Sequence, residues 1–347
     1  MNILSYLQTI IEDENRKSIF KIVKEAIHCA LIEKEIPIYY FTSLLYKKKS
    51  NNYRKYIGHK KIWKIYNEFF YKRGSSKELE DKISFSKVLI SNNIMTPQML
   101  AYNKGNRMIL MNEEVELKNE KQLLEIIRIL FRQSNSSSIF IKPTNGVGGS
   151  HSYIIDEKMI EDSKEILNLF YLLNQFDFIF QETIVQHPII NEVYSKSINT
   201  IRVHTYYNRD EKHTEITSAL MRFGYGGAIV DNGSSGGMFV SIDTDRWELV
   251  GSGSSYLKSG GLAFQSHPDS NEKFHGLVLP YGTAIEETVK NAATLFSYDF
   301  IGWDIALTET GPVIIEGNEN PHLIMMQMAC GGFVDHPKYS KIFSDFI

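Results

Sequence analysis

Several features that would place a protein in a special class are scarce in this sequence. Its 347 residues include two cysteines, Cys29 and Cys330, which excludes a disulfide-rich scaffold and the paired spacing of a structural zinc site. Both have apolar neighbours, so we expect buried, reduced thiols and a cytoplasmic protein. The longest apolar runs are far too short to cross a bilayer, and the first residues lack the pattern of a signal peptide.

Net charge is also small, because 38 Lys and Arg stand against 41 Asp and Glu, a formal charge of -3. We expect no nucleic-acid partner. The charge is unevenly spread, however: residues 47–77 contain eleven Lys or Arg and one acid, Glu68, and are rich in aromatics. Two interpretations of this segment stay open. It is either a solvated helix face packed on the core by its aromatics, or a surface that contacts something anionic, such as the inner face of a membrane.

The pattern of apolar residues predicts an α+β protein with antiparallel sheets. Residues 1–80 read as a helical extension, in which one stripe at helical spacing consists of Ile19, Ile22, Val23, Ala26, Ile27 and Ala30. From residue 81 onwards, strand-like and helix-like segments alternate without a regular βαβ order. Ten glycines between Gly224 and Gly261 predict a loop-rich region. We divide the chain into segments 1–80, 81–180 and 181–347.

The first candidate site is a lysine that precedes a glycine-rich loop. Lys142 ends an apolar run, and three glycines and a serine follow within residues 146–150. A Walker loop has its lysine after the glycines, and a Rossmann fingerprint opens a helix, so neither motif fits. A β-hairpin flap remains, whose backbone N–H groups approach an anion while Lys142 supplies positive charge. A plain surface hairpin is the alternative.

Two acidic residues are predicted to face each other across a C-terminal hairpin. The turn signal "TETG" spans 308–311, and a turn centred near residue 310 places Asp304 directly across from Glu316. Asn318 shares that face at the two-residue period of a strand. Opposed carboxylates repel each other unless a cation lies between them, and such oxygen ligands suit Mg²⁺. The apolar neighbours predict a mostly buried hairpin, which favours a metal site over a solvated strand face.

Three further segments carry candidate binding residues. The apolar strand "FIFQETIV" runs through Gln181 and Glu182 in the manner of a hinge that binds the edge of an adenine ring. Arg202 and Arg222 each interrupt an apolar strand, either as clamps for a phosphate or carboxylate or as outward-facing surface residues. Asn232 lies in a glycine-rich loop, which is either an anion-binding nest or a plain hairpin loop.

In this order along the chain, the motifs resemble the ATP-grasp superfamily. The resemblance is strongest to its sugar-transfer-associated subgroup, near the ATP-grasp proteins of teichuronopeptide-type glycan synthesis. It covers roughly residues 81–335 and rests on "IKPTNGVGGSHS", "NTIRVHTY", "DNGSSGGMFVSID", "HPDSNEKFHGLVLPYG" and "FIGWDIALTETGPVIIEGNENP". It implies an ATP-grasp fold, in which two α+β lobes sandwich ATP, with the N-terminal helical extension outside the usual core.

The resemblance also implies roles for individual residues. The residues that would contact ATP are Lys82, Lys142, Gly146, Gly148, Gly149, Ser150, Gln181, Glu182, Thr183 and Val185. Two Mg²⁺ ions would be bound by Asp304, Glu316 and Asn318. The catalytic residues would be Arg202, Arg222 and Asn232. Lys87 is a rival to Lys82, and Glu319 is a further carboxylate close to the metal set.

The implied activity is that of an ATP-dependent carboxylate–amine ligase. A substrate carboxylate takes the γ-phosphate of ATP, and an amine then displaces phosphate to give an amide. The implied partners are a small-molecule or glycan-linked carboxylate and an amine, such as an amino acid or amino sugar, joined in surface polysaccharide synthesis. A kinase acting on a hydroxyl and a non-catalytic ATP-binding scaffold for glycosyltransferases remain alternatives. The oligomeric state stays open.

Overall fold

A computed structural model describes residues 3–50, 52–71, 76–110, 113–134, 137–144, 152–233 and 236–347. The chain divides into two compact units. The first comprises Met1–Ser75, Gln186–Pro312 and Gly317–Ile347, and the second comprises Ser76–Val185 and Val313–Glu316. This grouping differs from the three predicted segments, whose boundaries stay a prediction. Within the described ranges, no helix combines the length and the apolar character needed to cross a bilayer.

The first unit begins with short helices, in line with the helical spacing of its apolar residues. They are α1 (Ile3–Glu12), α2 (Ile19–Glu33), α3 (Ile38–Thr42) and α4 (His59–Ile65). A 3-10 turn at Tyr53–Lys55 precedes α4, and a π-helical turn at Tyr66–Phe70 follows it. Helices α1, α2 and α3 and the segment after α3 share a small core that includes Ile10, Ile22, Cys29, Tyr39, Tyr40, Leu44, Leu45 and Tyr46.

Helix α2 directs its acidic side chains into this core. Glu25 accepts hydrogen bonds from Lys17 Nζ at 2.6 Å and from the Tyr40 hydroxyl at 2.7 Å. Glu33 is also buried and accepts a bond from Lys61 Nζ at 3.0 Å. Buried carboxylates are tolerated only when such partners satisfy them. The helix is therefore oriented by charge pairs as well as by apolar contacts.

The second unit is a six-stranded antiparallel sheet backed by helices. Its elements are α5 (Lys77–Glu80), α6 (Lys82–Ser91), β1 (Met99–Lys104), β2 (Arg107–Leu110), β3 (Glu113–Glu116), α7 (Glu120–Ser134), β4 (Ser138–Pro143), β5 (Tyr153–Asp156), α8 (Glu157–Glu161), α9 (Ser163–Leu173) and β6 (Phe178–Glu182). The strand order is β3-β2-β1-β6-β4-β5. One face of the sheet packs on α7 and α9 through a core that includes Leu123, Ile127, Ile139, Ile141, Leu169 and Phe180.

The remainder of the first unit is built on a second sheet, although residues Val313–Glu316 of its last strand are grouped with the second unit. Its elements are α10 (Pro188–Val193), β7 (Ile201–Asn208), β8 (His213–Phe223), β9 (Met238–Asp243), β10 (Glu248–Ser255), β11 (Ala263–Phe264), α11 (Gly282–Ala293), β12 (Phe300–Thr308), β13 (Gly311–Asn318), α12 (Leu323–Cys330) and α13 (Tyr339–Ile342). The sheet order is β11-β10-β9-β8-β7-β12-β13. Antiparallel pairing in both sheets confirms the predicted α+β class.

Two sequence expectations about this sheet have different outcomes. The hairpin of β12 and β13 is mostly buried, as predicted from its apolar residues. The loop-rich prediction for 224–261 is only partly right, because β9 and β10 both lie there. Their pairing shifts register between Val250 and Ser254, where Gly251 adopts a φ of 77°. A glycine within a strand pattern often marks such an irregularity rather than the end of the strand.

Candidate functional site

The centre of the first unit contains a buried arginine–aspartate pair on neighbouring strands. β7 and β12 pair so that Arg202 lies directly opposite Asp304. Arg202 Nε donates to Asp304 Oδ1 at 2.6 Å, and Nη2 donates to Oδ2 at 2.9 Å. This two-point geometry fixes the guanidinium plane as well as neutralising the carboxylate. Arg202 is therefore a core residue of the sheet and not an outward-facing surface residue.

A second arginine reaches the same carboxylate from β8. Arg222 Nη2 lies 3.2 Å from Asp304 Oδ1, and Arg222 Nε lies 3.4 Å from Asp231 Oδ2. Thr200 links the group, because its backbone N–H donates to Asp231 at 2.9 Å and its hydroxyl accepts from Arg222 Nε at 2.9 Å. We call the following five residues the arginine cluster: Arg202, Arg222, Asp304, Asp231 and Thr200.

Sequence reasoning missed two members of this cluster, Thr200 and Asp231. Both stand beside motifs that the sequence does display, since Thr200 precedes the strand of Arg202 and Asp231 directly precedes Asn232. Two arginines in the apolar strands of one sheet are the signal that could have found them. Buried guanidinium groups need carboxylate or hydroxyl partners from neighbouring loops.

Within the arginine cluster, the pKa of Asp304 is lowered and the pKa of Asp231 is raised. Burial acts to raise the pKa of Asp304, but the charges of Arg202 and Arg222 outweigh it and lower the pKa to about 2. Burial raises the pKa of Asp231, and Arg222 and Thr200 only partly oppose that rise. Asp304 is therefore an ionised carboxylate at any physiological pH, as a metal ligand or an arginine partner must be.

One donor of the cluster has no acceptor within the part of the chain that the structure describes. Arg202 is 3% exposed, and its Nη1 atom is buried with no hydrogen-bond partner among the residues that the structure describes. An unsatisfied buried donor on a charged group costs about 1–3 kcal/mol or more. Such a cost is commonly retained where a ligand supplies the missing acceptor, and an anionic oxygen suits a guanidinium best.

The second unit brings together two other residues that the sequence singled out. Lys82, at the start of α6, has its Nζ 3.5 Å from Glu316 Oε1. Its rival Lys87 lies on the same helix with its Nζ 5.3 Å from the centre of the Tyr102 ring, a cation–π contact. The two lysines thus have different surroundings, one next to a carboxylate and the other above an aromatic face.

Lys142 is buried on β4, on the side of the sheet opposite the apolar core. Ile139 and Ile141 belong to that core, and side chains alternate along a strand, so Lys142 points away from it. Its neighbour across the sheet is Ile179 of β6. The flap predicted after it, with Gly146, Gly148, Gly149 and Ser150, lies outside the described residues.

The predicted hinge occupies the end of β6. Glu182 Oε1 accepts from the backbone N–H of Gln98 at 3.3 Å, and the Thr183 hydroxyl accepts from Ser138 at 2.9 Å. Gln181 is buried, and its Oε1 atom has no hydrogen-bond partner within the described part of the chain. Val185 is exposed. The adenine-binding role of these residues stays a prediction.

The predicted magnesium ligands are distributed over both units. Asp304 belongs to the arginine cluster and Glu316 pairs with Lys82, while the Asn318 side-chain amide donates to Gly302 O at 3.2 Å. β12 and β13 are neighbours in the sheet, but the direct opposition of the two carboxylates stays a prediction. Across the described residues, no group of three or more His, Cys, Asp or Glu is arranged to hold a metal ion.

The chemistry of the predicted set nevertheless fits magnesium. Asp304 is ionised, and carboxylate and amide oxygens are the ligands that this ion accepts. Both oxygens of Asp304 contact arginines, so a metal would have to replace an arginine contact there. The part that Glu319 would play stays open. Asn232 is half-buried, and its backbone carbonyl accepts from Gly237 N at 3.1 Å; its catalytic role is untested.

A comparison with protein-family models identifies the class to which the chain belongs. The model described as sugar-transfer associated ATP-grasp matches residues 63–337. The chain therefore belongs to the sugar-transfer associated ATP-grasp family, as the order of its motifs predicted, and it has the ATP-grasp fold. The match begins inside the N-terminal helices, at Trp63 within α4. No curated protein sequence matches the chain.

Solved structures with a similar fold differ greatly in sequence. PsnB, an ATP-grasp ligase solved with the precursor peptide PsnA2 and AMPPNP, is 12% identical over 78% of this chain and 58% of its own, with a TM-score of 0.42. A D-alanine–D-alanine ligase from Bacillus anthracis complexed with ATP is 10% identical over 77% and 65%, with a TM-score of 0.42. The chain thus spans less than two thirds of either protein.

Proposed function

We propose that this protein is an ATP-dependent ligase that joins a carboxylate to an amine through an acyl phosphate. The observation that supports the proposal most is the buried Arg202, whose Nη1 atom lacks an acceptor within the described residues. A guanidinium held rigidly by Asp304 is preorganised to bind an anionic oxygen, which is what phosphoryl transfer requires. Family membership makes ATP the natural source of that phosphoryl group.

The proposed machinery consists of arginines, an asparagine and lysines. Arg202 and Arg222 would stabilise charge on the transferring phosphoryl group, and Asn232 would assist them. Lys142 and Lys82 would bind ATP phosphates. The rest of the proposed nucleotide site consists of Gly146, Gly148, Gly149, Ser150, Gln181, Glu182, Thr183 and Val185.

Asp304, Glu316 and Asn318 would hold magnesium, and we propose two ions. When bound, magnesium supplies positive charge next to the phosphate oxygens. Asp304 would hold an ion in place of its single contact with Arg222, and its two-point contact with Arg202 would be kept.

The proposed reaction has two steps. A carboxylate oxygen of the substrate attacks the γ-phosphorus of ATP, the bond to the β–γ bridging oxygen breaks, and ADP leaves. The nitrogen of the amine then attacks the carbonyl carbon of the acyl phosphate, so that phosphate leaves and the ammonium product loses a proton. The substrates that we propose are a small-molecule or glycan-linked carboxylate and an amino acid or amino sugar, used in surface polysaccharide synthesis.

A trapping experiment tests this proposal. Purified protein is incubated with ATP, magnesium and pooled carboxylates, with hydroxylamine in place of the amine. The ligase forms a hydroxamate and releases ADP in proportion to it, because hydroxylamine intercepts the acyl phosphate. A kinase acting on a hydroxyl forms a stable phosphate ester that hydroxylamine does not affect, and a scaffold forms neither product. A phosphate ester without hydroxamate would reject the ligase assignment.

A pair of arginine variants links the activity to the cluster. Arg202→Lys keeps the positive charge but loses the two-point geometry, so we expect hydroxamate formation to fall by at least about 100-fold. Arg209→Lys is the matched control, because Arg209 follows β7 directly and makes a half-exposed ion pair with Asp299, which directly precedes β12. Equal rates of hydroxamate formation in the two variants would contradict the proposed role of Arg202 in phosphoryl transfer.

A further inference from the structure

The N-terminal helix α2 has its apolar side chains on the outside. Ile22 and Cys29 are buried together with the acids Glu25 and Glu33, but six large apolar residues of the helix are exposed. Five of them lie on one side of the helix, and we call these five the α2 apolar face: Ile19, Phe20, Val23, Ile27 and Leu31. The sixth, Ile32, lies outside this face. A water-facing helix surface normally carries polar residues, so a helix that buries acids and exposes apolar residues contradicts the usual pattern.

The α2 apolar face forms one continuous stripe along one side of the helix. At about 100° per residue its five side chains fall within an arc of roughly 120°. Phe20 is 80% exposed and Leu31 is 72% exposed, so neither contributes appreciably to the core of the protein. Contiguous exposed apolar surface of this kind marks a contact with a partner protein or a membrane.

The charges beside this face indicate which of these partners it fits. The only acids of α2, Glu25 and Glu33, are turned inwards and bound by Lys17, Tyr40 and Lys61. The exposed charged residues of the helix are two lysines, Lys21 and Lys24, and Lys34 follows directly after the helix ends. An apolar face bordered by cations is typical of helices that lie in the interface of an anionic bilayer.

The same charges disfavour a second copy of the chain as the partner. In a two-fold symmetric dimer, a surface patch meets itself. The α2 apolar face would then bring Lys21, Lys24 and Lys34 against the same three cations, with no exposed acid on α2 to neutralise them. An anionic lipid surface places phosphate groups beside the lysines and acyl chains beside Phe20 and Leu31.

We propose that α2 docks this protein on an anionic membrane surface, with the α2 apolar face inserted at the level of the headgroups. Membrane docking through α2 is independent of the proposed ligase activity. The membrane contact then lies on α2 and not on the basic segment 47–77. Several cations of that segment have partners within the protein, since Lys47 pairs with Asp13 at 2.6 Å and Lys55 with Asp335 at 2.7 Å.

Flotation of the full-length protein with lipid vesicles tests the proposal. We expect binding to vesicles of phosphatidylcholine mixed with phosphatidylglycerol and little binding to phosphatidylcholine alone. Phe20→Gln/Leu31→Gln should weaken the binding at least about tenfold, because it removes the inserted apolar groups. Tyr171→Gln on α9 is the control for an exposed apolar residue elsewhere, and it should bind like the wild type.

Charge variants separate α2 from the basic segment. Lys21→Gln/Lys24→Gln should weaken binding to the anionic vesicles by about 25-fold, at roughly fivefold per lysine. Lys48→Gln/Lys49→Gln removes the same charge from segment 47–77 and should change binding less than twofold. Equal losses of vesicle binding from both double variants would overturn the proposal, since the electrostatic attraction to the lipid would then not depend on which lysines are removed.

Two further results would overturn it. The first is wild-type protein that fails to float with anionic vesicles. The second is a dimer in sedimentation equilibrium, without lipid, that Phe20→Gln/Leu31→Gln converts to a monomer. Unchanged thermal unfolding of the variants checks that their folds are intact, which is expected because both side chains are largely exposed.

Discussion

Replacing Asp304 by Asn removes the carboxylate that two buried arginines share. Arg202 contacts both oxygens and Arg222 contacts one of them, so the variant leaves excess positive charge in the interior. Removing one partner of a buried ion pair typically costs about 3–5 kcal/mol. We expect a loss of that size in the free energy of unfolding at neutral pH.

The pH dependence of the free energy of unfolding gives a second, independent estimate of what the Asp304 carboxylate contributes. The pKa of Asp304 is lowered from 3.8 to about 2, so the folded state holds its proton less tightly than the unfolded state does. The resulting stability is fully present above about pH 4 and is lost as the pH falls towards 2. The shift corresponds to about 2 kcal/mol. Asp304→Asn cannot titrate, so the difference in stability between the wild type and the variant should narrow over this window.

Urea unfolding of both proteins, from about pH 5 down to about pH 2, measures these effects. Glu286→Gln is the control, because Glu286 forms a partly exposed ion pair with Lys290 one turn along α11. Its expected cost is about 0.3–0.5 kcal/mol. An Asp304→Asn variant that loses no more stability than this control would refute the idea that the arginines depend on the carboxylate.

Three other predictions concern single residues. Glu316→Gln should abolish ADP release but change stability by less than about 1 kcal/mol, since its partner Lys82 is 3.5 Å away at a partly solvated position; near-normal turnover would contradict its metal role. Burial and the charge of Arg202 lower the pKa of His204 from 6.5 to about 3, so wild-type stability should fall by up to about 1.4 kcal/mol per pH unit below pH 6.5. His204→Asn should lose that slope in urea titrations, and an unchanged slope would assign it to other groups. Cys330 is half-buried, and desolvation raises the pKa of its thiol to about 11, so little reactive thiolate is present at neutral pH. In a Cys29→Ala variant, Ellman's reagent should therefore label Cys330 slowly in the native protein and rapidly after unfolding; equal rates would argue against this raised pKa.

The β-rich parts of the fold were accessible from sequence because their signals are local. Apolar alternation and turn residues predicted the strands of Arg202 and the buried hairpin that contains Asp304. The ion pair between Arg202 and Asp304 could not be predicted from the sequence. It depends on the pairing of β7 with β12, strands that lie about a hundred residues apart in the chain, and on a register that no local pattern specifies.

Helix α2 shows the same limit in a different way. Its existence followed from helical spacing, and an apolar stripe ordinarily faces a core. The structure instead exposes Ile19, Val23 and Ile27 and buries Glu25 and Glu33. Their partners, Tyr40 and Lys61 among them, come from outside the helix, so the orientation of the helix is a tertiary effect that spacing cannot reveal.

The site was predictable as a set of residue types and less so as a geometry. Arg202 and Asp304 were singled out separately, as a phosphate clamp and a metal ligand, and the structure joins them as an ion pair. The same is true of Lys82 and Glu316. Residues chosen to bind an anion and a cation attract each other, so such pairs can form between elements that the sequence treats independently.

The transfer of oxygen from the substrate to phosphate tests the central claim most directly. A carboxylate that supports turnover is labelled with ¹⁸O, and the phosphate released with ADP is analysed by mass spectrometry. Formation and breakdown of an acyl phosphate must leave one carboxylate oxygen on the phosphorus, so the account predicts one ¹⁸O atom in each phosphate released. Unlabelled phosphate during amide formation would contradict it.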